Sequence, residues 1–589
     1  MISIGSYITD PHTRMDTFLK LKKNCALLHA AGFEVGVWLW TFMIQGDQEY
    51  THITSPYGQS ASVEVCPSDE AFCSFAASYL ADIAACDPDL ILFDDDFRYG
   101  HLDCGLGCTC QNHLTYMSEL LQEKLTLEGL PEKLFSGKQN RYRSAWLKAN
   151  GYYFRLFAEK MRIAVDSVNP SIRMGLCACM TTWDFDGVSA AELSRILAGG
   201  TKPFLRLIGA PYWAPERNWG NRLQDVIELE RMERSWCGEG IEIVSEGDSY
   251  PRPRFVCPAS YVEGFDMALR ASGNMDGILK YVFDYYASPS YESGYVHNHI
   301  QNMPIYQQIE TCFANKITCG IRVYEHMTKF ENMDIPQHLT GSCSVQDMFF
   351  SPSARLLAAC SIPSVYEGLG IGGIAFGENV KYLEDGALDN GLILDVTAAQ
   401  ILNTQGIDTG ILGTHDIRFA DEEYYVHENE CVFTGNAPFH DISVNQNAKI
   451  LSYFVSKGCQ YPASYLYKNT VGQRFLVYSF DGYTTKDHVT KQYARARQIT
   501  ENISWLSRKI LPAVLSGNPD LYMLTKKNDH ELAVWIGNFF ADAAYNTTIV
   551  LDKVYHKIKF INCVGELSNN TVVLHRIDPF NSVGFVVSS

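Results

Sequence analysis

The stretch Leu90-Ile91-Leu92-Phe93-Asp94-Asp95-Asp96-Phe97-Arg98 joins four apolar residues to three consecutive aspartates. A short apolar run bounded by polar residues is typical of a buried parallel strand. The stretch follows a helical pattern at about 69–85. A helix that leads into a buried strand is the repeating unit of α/β folds, so the aspartates are predicted to stand at the carboxyl end of a strand.

The same unit recurs through the first half of the chain. Seven candidate strands follow helical or glycine-containing connections: Ile2 to Ile8, Glu34 to Trp40, Leu90 to Phe93, Arg173 to Cys177, Phe204 to Gly209, Ile241 to Ser245 and Gly277 to Phe283. This many units favours a (β/α)8-type TIM barrel over an open doubly wound sheet, and barrels gather their active sites at the carboxyl ends of the strands. Seven strands are one short of eight, which leaves open a barrel that lacks its first strand.

The periodicity changes after the barrel region. Residues 1–315 are predicted to form the barrel, and residues 316–485 a smaller flavodoxin-like α/β domain. Residues 486–589 begin with a basic helical pattern, about Lys491 to Leu515, and continue in short alternating segments. That alternation predicts a C-terminal antiparallel β-domain.

Composition excludes several classes of protein. The 589 residues include 48 basic and 67 acidic side chains, a formal charge of −19 that argues against binding nucleic acid. No apolar run reaches the roughly 18 residues of a membrane span, and the first residues do not resemble a signal peptide. The 18 cysteines are therefore expected to be reduced thiols of a cytoplasmic enzyme.

The acidic stretch is the sharpest candidate for chemistry. Strand alternation predicts that Asp94 and Asp96 share one face, and neighbouring carboxylates raise one another's pKa. A carboxylic acid kept protonated is what a glycosidase needs to protonate a leaving oxygen. Glu246, where another predicted strand ends, is a candidate for the second carboxylate. A metal-binding aspartate cluster and a solvated acidic turn are the alternatives.

A group of cysteines suggests a metal site. Cys108, Cys110 and His113 fall within six residues and offer two thiolates and an imidazole, with Cys66 or Cys104 as a fourth ligand. This set suits a closed, structural zinc site rather than a catalytic one. Ordinary buried cysteines are the alternative.

At these residues the sequence resembles the glycoside hydrolase family 42 β-galactosidases. The family carries W-x-x-D-N-E at its acid/base, and Ile91 to Asp96 matches that segment with Asp96 at the acid/base position and Asp94 on the same face. The family nucleophile is a glutamate that ends a later strand, and Glu246 matches it. The resemblance also implies zinc at Cys66, Cys108, Cys110 and His113, with His in place of a cysteine.

The resemblance implies a retaining glycosidase that cleaves a terminal, galactoside-like sugar. It also implies a glutamine-amidotransferase-like middle domain of the trimerisation type, expected to be non-catalytic. Aromatic and basic residues near the strand ends are candidates for binding the carbohydrate; these are Arg98, Trp40, Trp213, Tyr250 and Arg252. The departures from the family motif leave a second hypothesis open, a carbohydrate-binding barrel without activity.

Overall fold

The structure is a computed structural model. It describes residues 1–44, 49–137, 139–179, 183–214, 223–249, 257–280, 294–327, 350–516 and 520–589. The contacts divide the chain into two compact units. The first comprises residues 1–208, 236–246 and 327–349, and the second comprises residues 209–235, 247–326 and 350–589.

A parallel sheet forms the centre of the first unit. Six strands of this sheet lie in the first unit and pair in the order β1, β2, β5, β6, β7, β8. Their bounds are β1 Ile2–Gly5, β2 Gly36–Leu39, β5 Leu90–Phe93, β6 Arg173–Cys177, β7 Phe204–Arg206 and β8 Glu242–Gly247. Because all six run in one direction, their carboxyl ends lie at one edge of the sheet.

Helices connect these strands and cover the sheet. In chain order they are Pro11–Ala30, Glu70–Ala84, Gln111–Leu121, Leu130–Phe135, Arg141–Asp166 and Ala190–Ala198. Polar residues start several of them: the Asp69 side chain accepts from the backbone N–H of Phe72 at 2.9 Å. Such N-caps satisfy amide groups that have no partner inside the helix. A two-stranded hairpin, β3 His52–Thr54 with β4 Ser60–Val65, stands before the second helix.

Three helices and a nine-stranded sheet dominate the second unit. The helices are Leu223–Cys237, which ends in the first unit, Ala259–Ser272 and Tyr295–Phe313, and the short strand β9, Gly277–Lys280, lies between the last two.

The nine-stranded sheet has a parallel part and an antiparallel part. The parallel strands are β11 Ile321–Val323, β12 Ser364–Val365, β13 Gly373–Ala375, β14 Leu392–Leu394 and β19 Arg474–Tyr478. Their order, 2-1-3-4-5 along the chain, is that of flavodoxin-like sheets. The antiparallel strands are β15 Ile411–Tyr425, β16 Glu430–Val444, β17 Lys449–Ser456 and β18 Cys459–Lys468. The nine strands pair in the order β12, β11, β13, β14, β19, β18, β17, β15, β16. Helices Pro352–Ala359, Ala387–Asn390, Val396–Thr404, Asp487–Thr490 and Tyr493–Ser507 and the 3-10 turn Gly377–Tyr382 accompany this sheet.

Two antiparallel sheets complete the second unit. One contains β10 Ile317–Thr318, β21 Tyr522–Lys527, β22 Glu531–Asn538, β27 Asn581–Ser588 and β24 Lys557–Ile561. The other contains β20 Ala513–Ser516, β23 Ala544–Leu551, β26 Thr571–Ile577 and β25 Gly565–Ser568. Alternating apolar residues from both sheets, such as Val534, Ile549 and Phe585, form one buried core.

The structure confirms the predicted fold class, with a barrel-type parallel sheet followed by an α/β region and an antiparallel β-region. Strands occur at all seven predicted positions, although the predicted strand from Gly277 to Phe283 extends beyond the described residues after Lys280. The prediction of one helix from Lys491 to Leu515 is wrong in its last third. The helix ends at Ser507, and β20 begins at Ala513, because Arg508 adopts the left-handed conformation that closes the helix. The domain boundaries drawn from sequence stay a prediction.

In the described part of the chain, every helix is too short or too polar to cross a lipid bilayer.

Candidate functional site

The three aspartates stand where the buried strand β5 reaches the carboxyl edge of the first unit's sheet. The N–H of Asp94 donates to the carbonyl of Leu39 at 2.9 Å, which continues the pairing with β2 by one residue. Asp94 and Asp96 are buried, with 8% and 3% of their surface exposed. Asp95 is half-buried, and its carboxylate pairs with Arg98 at 3.0 Å. The carboxyls of Asp94 and Asp96 are therefore buried, unlike those of an ordinary solvated acidic turn.

Asp96 is a hydrogen-bond acceptor for the turn after β2. Its Oδ1 accepts from the N–H of Thr41 at 2.7 Å, and its Oδ2 accepts from Phe42 at 2.8 Å and Met43 at 3.1 Å. The pKa of Asp96 is raised, because burial outweighs the bonds from Phe42 and Thr41, which lower it. Because all of these donors favour the ionised form, Asp96 is suited to holding the turn rather than to giving up a proton.

Asp94 is also buried, but its carboxyl accepts fewer backbone hydrogen bonds than that of Asp96. Its Oδ1 accepts a hydrogen bond from the backbone N–H of Asp95 at 2.7 Å. Burial, and next the charge of Asp95, raise the pKa of Asp94 well above its usual range, and Arg206 only partly opposes them. A buried carboxyl of this kind retains its proton at higher pH and can serve as a general acid. Of the two aspartates left open by the sequence, the geometry favours Asp94 as the proton donor.

Glu246 lies on β8 and contacts an arginine of the neighbouring strand. Its Oε1 is 3.3 Å from Nη1 of Arg206, the last residue of β7, and both side chains are 5% exposed. Burial lowers the pKa of Arg206, but Cys177, Glu246, Asp95 and Asp94 together raise it well above the usual value. Arg206 is therefore a permanent cation that interacts with both Glu246 and Asp94, so these two carboxyls belong to one electrostatic cluster.

Arg206 has further hydrogen-bond donors besides the Nη1 that contacts Glu246. Its Nε and Nη2 are buried and have no hydrogen-bond partner among the described residues. Buried guanidinium N–H groups are costly to leave unpaired, so their position suits a bound polar ligand or ordered water. Sequence reasoning missed Arg206, although a charged residue that ends the apolar run Phe204-Leu205-Arg206 is the signal that could have identified it.

The predicted carbohydrate-binding residues lie in different places. Trp40 follows β2 and is half-buried. Its backbone N–H donates to the carbonyl of Gly5 at 3.0 Å. The Arg98 guanidinium donates to the carbonyl oxygens of Asp95 and Gly100 at 2.6 and 3.0 Å, so it holds the acidic turn closed.

The other three belong to the remainder of the chain. Trp213 lies in the second unit, where its ring packs edge-on against Phe350 with centroids 6.3 Å apart. Tyr250 and Arg252 lie outside the described residues. For these two, a role in binding stays a prediction.

Four side chains of the first unit converge as the sequence predicted for a metal site. The Cys66 sulfur is 3.7 Å from the sulfurs of Cys108 and Cys110, and Nδ1 of His113 is 3.3 Å from the Cys110 sulfur. All four ligand atoms lie within 4.8 Å of one another, and all four residues are buried. Cys104 is not a member of this cluster; its sulfur faces the carbonyl of Ile53.

The geometry of the cysteine cluster fits a tetrahedral ion. Sulfur ligands at about 2.3 Å from a tetrahedral zinc stand about 3.8 Å apart. Burial raises the pKa of Cys66 and Cys108, while hydrogen bonds from those two thiols lower the pKa of Cys110. The backbone N–H groups of Thr54 and Cys110 each point at the Cys108 sulfur from 3.4 Å, an arrangement that supports a thiolate. The donor set therefore fits zinc in a closed site.

A second group of possible ligands was not predicted from the sequence. His427, Glu428 and Glu501 lie close together on the surface of the second unit. Arg497 is 3.1 Å from Glu501 and 3.9 Å from Glu428, so ion pairs already account for this group.

The fold and the buried carboxyls define a class of protein: an α/β protein whose parallel sheet gathers acidic residues and an arginine at its carboxyl edge. None of the known protein-family models matches the chain, and no curated protein is similar in sequence.

Solved structures with this fold are nevertheless known. The structure is similar to a β-galactosidase from Rahnella sp. R3, with a TM-score of 0.62 and 11% identity over 97% of this chain and 91% of that one. It is also similar to a catalytic mutant of the GH42 β-galactosidase Gan42B from G. stearothermophilus, with a TM-score of 0.62 and 11% identity over 100% and 98%. A third is the α-L-fucosidase isoenzyme 2 from Paenibacillus thiaminolyticus, with a TM-score of 0.61 and 9% identity over 96% and 89%. At this identity the likeness shows the fold, and it confirms the family 42 resemblance at that level.

Proposed function

We propose that this protein is a retaining glycoside hydrolase in which Asp94 is the acid/base and Glu246 is the nucleophile. The observation that carries the proposal is Arg206, a buried cation that pairs with Glu246 at 3.3 Å and also interacts with Asp94. A glycosidase needs one carboxyl protonated and one ionised. Burial supplies the first condition at Asp94, and the contact with Arg206 supplies the second at Glu246.

In the first step, the carboxylate of Glu246 forms a bond to the anomeric carbon while the bond to the leaving oxygen breaks. Asp94 gives its proton to that oxygen, and the aglycone leaves as an alcohol. In the second step, the Asp94 carboxylate takes a proton from water as the water oxygen bonds to the anomeric carbon. Glu246 is released as a carboxylate, and Asp94 regains its proton.

The proposed substrate is a terminal galactoside or a closely similar sugar. Two of the similar structures are named as β-galactosidases and the third as an α-L-fucosidase. Trp40 follows the strand next to β5, and an aromatic face there suits the apolar C–H face of a sugar ring. The buried N–H groups of Arg206 are suited to hydrogen bonds with the reacting ring or with the nucleophile.

The experiment is a hydrolysis assay on a panel of nitrophenyl glycosides that includes β-galactoside, α-galactoside, α-fucoside, β-glucoside and β-mannoside. Proton NMR of the first-formed sugar anomer tests retention. Glu246→Gln should abolish turnover, and Glu242→Gln, on the same strand but paired with Arg173 and half-buried, is the matched control. Full activity of Glu246→Gln would refute the assignment.

The two alternatives make different predictions in the same assay. A carbohydrate-binding barrel without activity would bind one of these sugars and never hydrolyse its activated glycoside. A metal-dependent hydrolase would lose activity with a chelator, through metal held by Asp94 and Asp96. The backbone hydrogen bonds to both oxygens of Asp96 argue against that role, because they occupy the lone pairs that a metal would need.

We also propose that Cys66, Cys108, Cys110 and His113 hold a structural zinc ion. Three thiolates and an imidazole leave no open position for a substrate, so the ion would stabilise the loop that carries Cys108 and Cys110 rather than take part in the reaction. Metal analysis of the purified protein tests this proposal.

A further inference from the structure

A cavity of about 440 Å³ lies in the second unit. The ends of two helices, Ala259–Ser272 and Tyr295–Phe313, the beginning of β9 and one residue of β21 form its wall. The proposed hydrolase site uses none of these residues.

Three cationic side chains line this cavity, and two of them have anionic partners. Arg270 pairs with Asp266 at 2.6 Å and with Glu310 at 2.7 Å. Lys316 pairs with Glu531 at 2.8 Å. The third cation is Lys526, which is 7% exposed. In the described part of the chain, no carboxylate lies within ion-pair distance of its ammonium group.

In the described part of the chain, the ammonium group of Lys526 makes one hydrogen bond. Its Nζ donates to the carbonyl of Ser272 at 3.1 Å, at the negative end of the helix Ala259–Ser272. An ammonium group has three donors, so two have no partner among the residues that the structure describes. Gly273 follows that helix end with φ +73, and a Cβ there would lie 2.6 Å from Nζ of Lys526. Glycine at this position therefore leaves room around the ammonium group.

The surroundings of Lys526 are electrostatically unfavourable for its positive charge. Burial lowers the pKa of Lys526, and the positive charges of Arg231 and Lys316 lower it further. The acidic residues that line the cavity are Asp276 and Glu310, of which Glu310 is paired with Arg270. An unpaired buried ammonium is unfavourable unless an opposite charge compensates it, and a ligand in the cavity can supply that charge.

We propose that this cavity binds a small organic anion, a carboxylate or phosphate monoester, whose charged group pairs with Lys526. Apolar side chains form part of the remaining wall, beside the charged ones; they include Leu269, Met275, Ile278, Ile309 and Phe313. These side chains suit a compact hydrocarbon or aromatic body attached to the anionic group. The inference stands apart from the hydrolase proposal, since it uses different residues and does not require catalysis.

The test is calorimetric titration of the full-length protein with benzoate, phenyl phosphate and inorganic phosphate, at constant ionic strength set with sodium chloride. We expect saturable binding of benzoate or phenyl phosphate, and the stronger of the two identifies the anionic group. Inorganic phosphate, which lacks the apolar body, should bind at least tenfold more weakly than the better organic anion.

Two variants remove the charge of Lys526. Lys526→Met and Lys526→Gln should each weaken binding at least tenfold, and Gln retains a donor for the Ser272 carbonyl if loss of that bond destabilises the Met variant. Lys527→Met is the matched control, because Lys527 is exposed and the next residue of the same strand. Absence of saturable binding by all three anions, or equal affinity in the Lys526→Gln and Lys527→Met proteins, would overturn the proposal.

Discussion

The Glu246 carboxylate lies 3.3 Å from the Arg206 guanidinium, and the two side chains come from neighbouring parallel strands. This pair is buried, so its interaction is screened little by solvent or salt. A carboxylate paired with a cation in this way is held ionised, which is the state that a nucleophile requires. The proposed mechanism depends on this ion pair, which can be tested by replacing either residue.

Arg206→Met should lower kcat/KM by about 10²–10³-fold, the usual cost of removing one preorganised charged donor from a site. The acidic limb of the pH profile should also move to higher pH, because Glu246 would lose the cation that favours its ionised form. Arg206→Lys retains the charge and should restore part of the activity and the position of that limb. A pH–rate profile unchanged by Arg206→Met would show that Arg206 has a purely structural role.

Asp94→Asn should remove acid catalysis, which contributes about 10²–10⁴-fold. The loss should be large for alkyl glycosides and small for dinitrophenyl glycosides in the glycosylation step, because a good leaving group does not need protonation. Measuring both substrates separates loss of the acid from general damage to the site. An equal loss on both substrates would contradict the assignment of Asp94.

The raised pKa of Asp94 also has a consequence for stability. Above the unfolded pKa, about 3.9, the folded protein retains a proton on Asp94 that the unfolded chain has released. Stability contributed by this group therefore falls as pH rises from about 4 to the raised folded pKa. The free energy of unfolding, measured with urea across this range, should decline less steeply with pH in Asp94→Asn than in the wild type. Parallel pH dependences of the two proteins would contradict the raised pKa.

Asp96→Asn should destabilise the protein by about 1–3 kcal/mol. The NH2 group of asparagine, a donor, would replace a carboxylate oxygen that accepts backbone N–H bonds. Asp95→Asn is the control: Asp95 is half-buried, and its pair with Arg98 should be worth about 1 kcal/mol or less. Urea denaturation of the two variants gives the comparison. An Asp96→Asn protein as stable as Asp95→Asn would argue against the anchoring role of Asp96.

Cys110→Ser should reduce bound zinc from about one equivalent to near zero and lower the thermal midpoint of unfolding, since metal binding to the folded state contributes folding free energy. Cys104→Ser, also buried but outside the cluster, should retain the metal. Mass-spectrometric metal analysis of both purified variants checks this prediction. Full zinc content in Cys110→Ser would exclude the proposed ligand set.

Much of the fold was predictable because its signals are local. The apolar run Leu90 to Phe93 and the helical pattern before it lie within about 30 residues, and both became the expected elements. The helix predicted from Lys491 to Leu515 was too long because its basic and apolar residues continue past Ser507. Whether such residues form a helix or a strand depends on what they pack against, and here β20 pairs with β23.

By itself the sequence determined the fold class, the cysteine and histidine cluster and the three aspartates as candidates, because each depends on residue types close together in the chain. Only the tertiary structure separated Asp94 from Asp96, since the turn at Thr41 to Met43, more than 50 residues away, hydrogen-bonds to Asp96 and not to Asp94, which is buried and feels the charge of Arg206. The contact between Arg206 and Glu246 likewise joins two strands 40 residues apart. Burial and charge contacts of this kind depend on the folded arrangement of distant segments, and they decide which carboxyl can hold a proton.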